Sequence, residues 1–247
     1  MRYLILSDIH ANLTALDAVL KVAEGRWQRA VCLGDLVDYG PDPNEVIARV
    51  RSLEALTIRG NHDKAVVGLA DPDDFNPIAR MSVLWTREQL TPENRLYLET
   101  LPSGPKGAGG FSIVHGSLRD EDEYVFSPEL ARDGLLNALT PVTFFGHTHV
   151  QGGFALRDGL AGILHLPYAG GESFSTFAIE PGTAYLLNPG SIGQPRDGDP
   201  RAAFAIADLD NQSVEFWHVP YDIEAVQERM ARAGLPEALI LRLSFGR

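Results

Sequence analysis

Five short stretches of this 247-residue chain carry side chains able to hold a metal: Asp8-Ile9-His10, Gly34-Asp35-Leu36-Val37-Asp38, Arg59-Gly60-Asn61-His62-Asp63, His115, and Gly146-His147-Thr148-His149. Five of the seven histidines lie in them, so the distribution of histidine is concentrated where chemistry is possible. Asp8, His10, Asp35, Asn61, His115, His147 and His149 together offer more oxygen and nitrogen donors than one tetrahedral site takes up. The set suits two metals. Two-metal sites hold their ions about 3.5–4 Å apart and clamp the oxygens of an in-line phosphoryl displacement. Mixed imidazole and carboxylate ligation points to Mn, Fe, Zn, Co or Ni before Mg or Ca without choosing among them; manganese is the favoured expectation. In extended chain, residues two apart project from one face, so the rings of His147 and His149 are expected side by side.

Each stretch directly follows an apolar run with the composition of a buried strand: RYLILS, RAVCL, EALTI, FSIV and VTFF. Helical patterns separate them. Leu13, Leu16, Leu20 and Ala23 recur on one face of NLTALDAVLKVAE. Asp42 reads as an N-cap with Pro43 at the first helical position and Glu45 three residues after the cap. Strands alternating with helices predict βαβ units and a largely parallel sheet, in which functional groups collect outside the carboxyl ends of the strands. The five polar stretches are therefore expected to converge on one edge.

A net charge of −12 with no cluster of Lys and Arg argues against an extended grip on nucleic acid, but a small anion is still admitted if bound cations supply local positive charge. No apolar run reaches the roughly 20 residues of a membrane span, and MRYLILSD lacks the long apolar stretch of a signal peptide, so a cytoplasmic protein is expected. Cys32, the only cysteine, sits in an apolar run and reads as a buried inert thiol. One domain spanning 1–247 is expected, with a helical insertion at about 71–101 that either packs on the core or caps the site. In its first helix Ile78, Met81, Leu84 and Trp85 share a face, and Thr91-Pro92 starts the second. Residues 104–110, GPKGAGG, read as a turn, since they lack the spacing of a phosphate-binding loop. Residues 188–202 read as a loop between strands from which Arg196 is able to reach a phosphate. His165 and His218 read as ordinary strand side chains, and DIEAVQERM and LPEALILRLSF as terminal helices.

Taken in order from Asp8 to His149, the five stretches resemble the pattern of the calcineurin-like metallophosphoesterase superfamily: D-x-H, GDxxD, GNHD or GNHE, a lone His, and GHxH. The resemblance implies an α/β fold of two packed mixed β-sheets flanked by helices. It implies that Asp8, His10 and His149 hold one metal, that Asn61, His115 and His147 hold the other, and that Asp35 bridges them. His62 is then the histidine that faces the substrate, and Asp38 the residue that orients it. Tyr39 stands where the serine/threonine protein phosphatase branch has an arginine, and GHTH is more like the small bacterial and archaeal phosphodiesterases. Residues 73–102 also resemble, more loosely, an insertion in a bacterial group that includes dinucleoside polyphosphate hydrolases.

The expected activity is dinuclear metal-dependent hydrolysis of phosphodiester bonds in a small or nucleotide-like substrate. Two divalent cations outweigh the carboxylates of Asp8 and Asp35, so the site stays positive in an acidic protein, and metal coordination yields a bridging hydroxide nucleophile near neutral pH. Phosphomonoesterase and dinucleoside polyphosphate hydrolase are the alternative activities. A catalytically silent interaction scaffold is disfavoured, since no residue of the pattern is missing.

Overall fold

The structure is a computed structural model that describes residues 1–164, 166 and 173–247; His165 lies outside them. Among the described residues, one sheet has the order β3-β2-β1-β11-β12-β9 and a second the order β4-β5-β6-β10-β7-β8. The first is built from β1 (Arg2–Leu6), β2 (Arg29–Cys32), β3 (Leu56–Thr57), β9 (Phe174–Ala178), β11 (Ala202–Asp208) and β12 (Ser213–Val219). The second is built from β4 (Lys106–Gly107), β5 (Ser112–Ile113), β6 (Val142–Phe144), β7 (Gly152–Arg157), β8 (Leu160–Ile163) and β10 (Ala184–Asn188). The helices are α1 (Leu13–Ala23), α2 (Pro43–Ser52), α3 (Asn61–Val67), α4 (Pro77–Gln89), α5 (Pro92–Glu99), α6 (Pro128–Leu135), α7 (Ile223–Arg232) and α8 (Glu237–Arg242). None of them is long and apolar enough to cross a membrane.

The five apolar runs do become strands, divided between the sheets. Parallel pairing is confined to β1-β2-β3 and β5-β6-β10, and every other pair is antiparallel. The expectation of a largely parallel sheet is thus corrected to two mixed ones. Helix crossovers separate only the early strands, while β11 and β12 join as a hairpin. Short βαβ repeats enforce parallel pairing and hairpins enforce the opposite.

Alternation along the strands separates the layers. Tyr3 and Ile5 of β1, Phe144 of β6 and Tyr185 and Leu187 of β10 point between the sheets, where Phe111 fills the space. Leu4 and Leu6 of β1 face the other way, against Leu16 and Val19 of α1 and Val46 and Val50 of α2. On the outer face of the second sheet Leu186 and Phe154 pack on Ala131 and Leu135 of α6. Large apolar side chains withdrawn from water contribute about 1.5–3 kcal/mol each, which holds the strands rigid up to their carboxyl ends.

Three local expectations change. Asp42 does occupy the N-cap of α2, but its carboxylate makes no cap bond and accepts from Arg229 of α7 instead, at 3.0 Å. In α4 the buried face is Ala79, Ser82, Val83 and Thr86, while Ile78 and Met81 are exposed. The helix lies over the polar loop at Asp38 and Tyr39, so hydroxyls are wanted there: Ser82 Oγ accepts from the Tyr39 amide at 2.9 Å. GPKGAGG contains β4, a two-residue edge strand paired with β5. Cys32 is buried, and burial raises its thiol far above the ordinary value, as expected of an inert side chain.

Candidate metal centre

The loops after β1, β2, β3, β5 and β6 meet at one edge of the sandwich and interlock through their backbones. Asp8 N donates to Gly34 O at 3.1 Å, His10 N to Asp35 O at 3.0 Å, and Gly146 N to His115 O at 2.8 Å. Asp8, His10, Asp35, Asp38, His147 and His149 all have φ between 48° and 74°, in the left-handed region that side chains with a Cβ seldom enter. Such residues cost about 1–3 kcal/mol each and persist where surrounding structure determines them. Each reversal turns a strand end sharply, so that the side chain is aimed at the common centre. His147 and His149 are therefore not in extended chain. Their rings diverge instead of standing side by side, His149 toward Asp8 and His10, His147 toward His115.

Two groups of potential ligands result. Asp8, His10, Asp35 and His149 form one, Asp35, His115 and His147 the other, and in each the donor atoms lie within 4.8 Å of one another. Asp35 belongs to both. All six residues are buried. Asn61 joins the second group through Oδ1, 3.1 Å from His115 Nε2.

The hydrogen bonds fix which nitrogen of each ring faces inward. His10 Nδ1 donates to Val37 O at 3.1 Å, His115 Nδ1 to Leu33 O at 2.8 Å and His149 Nδ1 to Gln194 O at 2.6 Å. A carbonyl only accepts, so each Nδ1 carries a proton, and in the neutral form of each ring Nε2 presents the lone pair. His147 is reversed: Nε2 donates to Asp122 O at 3.1 Å, leaving Nδ1 as its lone-pair nitrogen.

Inside this frame the donors face one another without protons between them. His10 Nε2 and His149 Nε2 are 3.1 Å apart. Asp35 Oδ2 is buried without a hydrogen-bond partner, 3.6 Å from His10 Nε2 and 3.4 Å from His115 Nε2. Opposed lone pairs and an orphaned carboxylate oxygen are unfavourable by themselves and are relieved by cations, so the residues present fit divalent metal. For three of the four rings the titration behaviour agrees. Burial holds His10, His149 and His147 below the ordinary imidazole value, His147 at about 3 with the charge of His115 contributing. Neutral imidazole is the ligating form. Burial opposes a charge on His115 too, but Asp35 outweighs it and raises that ring to about 10.

His62 stands beside the cluster rather than in it. Its Nδ1 is 2.6 Å from Asp38 Oδ2, and its amide donates to Asp35 Oδ1 at 2.9 Å. Burial disfavours the imidazolium, yet the charge of Asp35 and the bond to Asp38 prevail and raise its pKa. His62 lines a cavity of about 300 Å³ with Tyr39, Asn61, Asn76, Tyr124 and His147. Arg196, in the β10–β11 loop, donates from Nη2 to Gln194 Oε1 at 3.0 Å, and its Nε is buried without a partner.

Several supporting residues are given no role in the sequence reading. Asp63 Oδ1 accepts from Leu36 N at 2.9 Å and Oδ2 from Gly60 N at 3.0 Å, stapling the loop after β2 to the start of α3. Burial, then the charge of Asp35, raises its carboxyl to about 7. A carboxylate three residues after an N-cap is a recognisable signal, and Gly60 to Asp63 has that spacing. Asn188 Nδ2 holds Gly146 O and Thr148 Oγ1, both at 2.9 Å, and Ser191 Oγ donates to Asp8 O at 2.8 Å. Lys64 is bonded to Asp122 and Glu121, and so steadies the carbonyl that orients His147. Two glycines of the pattern are sterically required: a Cβ on Gly60 would fall on the Asp35 carboxylate, and one on Gly146 would fall on Ser7 Oγ.

Known proteins carry the same framework. The family model for the calcineurin-like phosphoesterase superfamily domain matches residues 1–212. The protein MJ0912 of Methanocaldococcus jannaschii is 34% identical, over 98% of this chain and 97% of its own. The phosphodiesterase YfcE of Escherichia coli K12 is 27% identical, over 87% and 91%. The crystal structure of a metallophosphoesterase from Sphaerobacter thermophilus has 41% identity and a TM-score of 0.86, with all of both chains covered. With a family match across the residues that build the whole strand-end cluster, the chain belongs to the calcineurin-like phosphoesterase superfamily.

Proposed function

We propose that this chain, by family a metal-dependent phosphoester hydrolase, uses two divalent cations to hydrolyse phosphodiesters of small or nucleotide-like substrates. The observation that carries the reading is Asp35, whose carboxylate is common to both groups of donors and whose Oδ2 is buried and unpartnered between them. In this reading Asp8, His10 and His149 hold one cation, Asn61, His115 and His147 the other, and Asp35 both. Bound metals supply Lewis acidity toward a phosphoryl oxygen and a water acidic enough to act as nucleophile near neutral pH. The protein supplies orientation: carbonyls of Val37, Leu33, Gln194 and Asp122 lock the four rings. His62, held by Asp38, presents Nε2 as the ring nitrogen available to protonate the departing oxygen. In this reading Arg196, whose Nε is without a partner, is the guanidinium assigned to the phosphate.

A preference for diesters is supported by similarity to a relative named phosphodiesterase and by Tyr39, which puts an aromatic ring where protein phosphatases place an arginine. The test is a hydrolysis panel of diesters, monoesters and dinucleoside polyphosphates, run on protein reloaded separately with Mn, Fe, Zn, Co and Ni. Elemental analysis is expected to find two ions per chain, manganese to support the highest rate, and diesters to lead the panel. Full activity with one ion per chain removes the two-metal reading, and a lead by monoesters removes the diester preference.

In the same reading the chain is one domain whose insertion, about 71–101, caps the site. Phe75 lies edge-on to His62 with ring centroids 5.0 Å apart, and Asp74 to Asn76 line the cavity. Replacing Asp74, Phe75 and Asn76 with a Ser-Gly-Ser segment is expected to change the relative rates across the panel by about tenfold, the scale of one lost apolar contact, with metal content unchanged. Unchanged relative rates would leave the insertion with core packing alone.

A further inference from the structure

A second cavity, of about 600 Å³, adjoins the one at His62 and shares Tyr39 and Asn76 with it. Beyond those two residues it is lined by Pro77, Ile78 and Ala79 at the start of α4 and by Ala238 and Leu239 of α8. No candidate metal ligand lines it. Its size falls in the range of sites that enclose a whole organic group, roughly 300–1,000 Å³. Tyr39, Ala79 and Leu239 belong to the buried apolar cluster that joins α4 to α7 and α8, whereas Ile78 and Ala238 are exposed. The groove is therefore an aliphatic extension of the catalytic cavity, built from segments outside the metal-binding pattern. α4 belongs to the insertion, and α8 lies beyond residues 1–212 that the family model matches.

Polar groups are few along this path. Arg242 also lines it, but its Nε donates to the backbone oxygen of Arg247. The remaining hydrogen-bonding side chains are Asn76 and the Tyr39 phenol. A nucleobase seated here would leave several of its polar atoms without partners, at a cost that an aliphatic chain does not incur. Tyr39 sets the direction in which a bound ester would run. Its φ of 65° is held by the bond from its amide to Ser82 Oγ, and its ring stands 4.6 Å from that of His62, with Phe75 at 5.0 Å from the same ring. His62 is the group assigned to the departing oxygen, so whatever that oxygen carries leaves past Tyr39 and Phe75, toward the groove.

We infer that the groove between α4 and α8 binds the leaving alcohol, and that the substrate is a phosphodiester whose leaving half is an extended aliphatic chain. The inference rests on the phosphodiesterase reading, with His62 as the acid, and deepens it. In the step, a hydroxide oxygen derived from water bonds to phosphorus and the bond from phosphorus to the alkyl oxygen breaks. The electron pair stays on that oxygen, which takes the proton of His62. The products are the free alcohol and the phosphate monoester of the retained half, and solvent returns the proton to His62. Tyr39 suits this path as an arginine would not, since it places an aromatic ring where the chain passes from phosphate to groove.

The experiment uses thymidine 5′-(alkyl phosphates) with ethyl, butyl, hexyl and octyl groups on the metal-loaded protein. With chain length, kcat/KM is expected to rise by up to about fourfold per buried methylene and by at least about tenfold from butyl to octyl. Ala238→Trp fills the groove and Ile78→Asp puts a charge on its wall, and each is expected to abolish most of the octyl-to-ethyl ratio. Leu241→Asp, also exposed on α8 but not lining the groove, is expected to keep that ratio. Because the readout is a ratio, partial loss of folded protein does not imitate the result. Calorimetry with octyl phosphate and ethyl phosphate supplies a second readout, in which the longer chain should bind more tightly and lose that advantage in Ala238→Trp. A flat series in the unmodified protein, or a length dependence that Ala238→Trp and Ile78→Asp leave intact, overturns the groove. Release of thymidine and alkyl phosphate, in place of thymidine 5′-phosphate and alcohol, overturns its assignment to the leaving half. If no diester is hydrolysed while octyl phosphate still binds through the groove, the activity reading fails and the aliphatic site stands.

Discussion

Asp35→Asn is expected to lose at least one of two bound cations and to lower kcat/KM on a diester by about 10⁴-fold or more, the loss that follows when several kcal/mol of Lewis-acid stabilisation are removed. Asparagine is the informative replacement. Its amide oxygen can still accept from the His62 amide, as Asp35 Oδ1 does at 2.9 Å, so the start of α3 keeps its anchor. What disappears is the charge and the unpartnered Oδ2 that lies between His10 and His115. Alanine would also leave a buried amide donor unpaired and confuse loss of metal with loss of fold. Metal content is read by elemental analysis and folding by thermal melting. An independent readout comes from metal-free protein. The His115 ring, raised to about 10 chiefly against burial by Asp35, should titrate far lower in Asp35→Asn when followed by NMR. A variant that keeps two ions and activity within about tenfold would falsify the assignment of Asp35 as the shared ligand, since a bridging carboxylate is not dispensable on that scale.

The convergence behind that prediction was legible in the chain because each strand ends in a distinct polar residue pattern. A buried parallel strand is nearly all apolar, so the first Asp or His after it marks the edge, and β1, β2, β3, β5 and β6 were all recognisable on that ground. Two sheets rather than one were expected only through family resemblance, since periodicity within a strand says nothing about which sheet it joins. The residues that hold the ligands in place were hidden for a related reason. Asn188, Ser191 and Gln194 lie at the end of β10 and in the loop after it, more than forty residues beyond His147; Asn188 and Ser191 bond to backbone carbonyls of Gly146 and Asp8, and Gln194 offers its own backbone carbonyl to the His149 ring. Contacts to backbone leave no complementary residue type to search for. The face of α4 misled because hydrophobic spacing was taken to mark the buried side, whereas Ser82 and Thr86 are buried to serve Tyr39 and Asp38. Likewise His147 and His149 share a face only if the chain is extended, and their φ values of 65° and 59° show a reversal that an alternating pattern does not announce.

His62→Ala is expected to retain both cations and to lose activity unequally, by about 10²–10⁴-fold on alkyl or nucleoside diesters and much less on nitrophenyl esters. Among the described residues no group of potential metal ligands includes His62; its Nδ1 is taken by Asp38 Oδ2 at 2.6 Å, and the ring lines the cavity beside Asn61 and His147. Burial works against the proton, but Asp35 and the bond to Asp38 raise the pKa of this ring above the ordinary imidazole value. As the bond from phosphorus to the departing oxygen breaks, that oxygen gathers negative charge, and an alkoxide needs the proton far more than a nitrophenolate does. Asp38→Asn separates the proton from mere positioning. Asparagine can hold the ring but lacks the charge that helps to raise it, so the basic limb of the pH profile on an alkyl diester should move to lower pH while metal content stays at two. Equal losses on both classes of ester in His62→Ala, together with an unmoved limb in Asp38→Asn, would make His62 a residue that positions the phosphate and leave protonation of the leaving group to solvent.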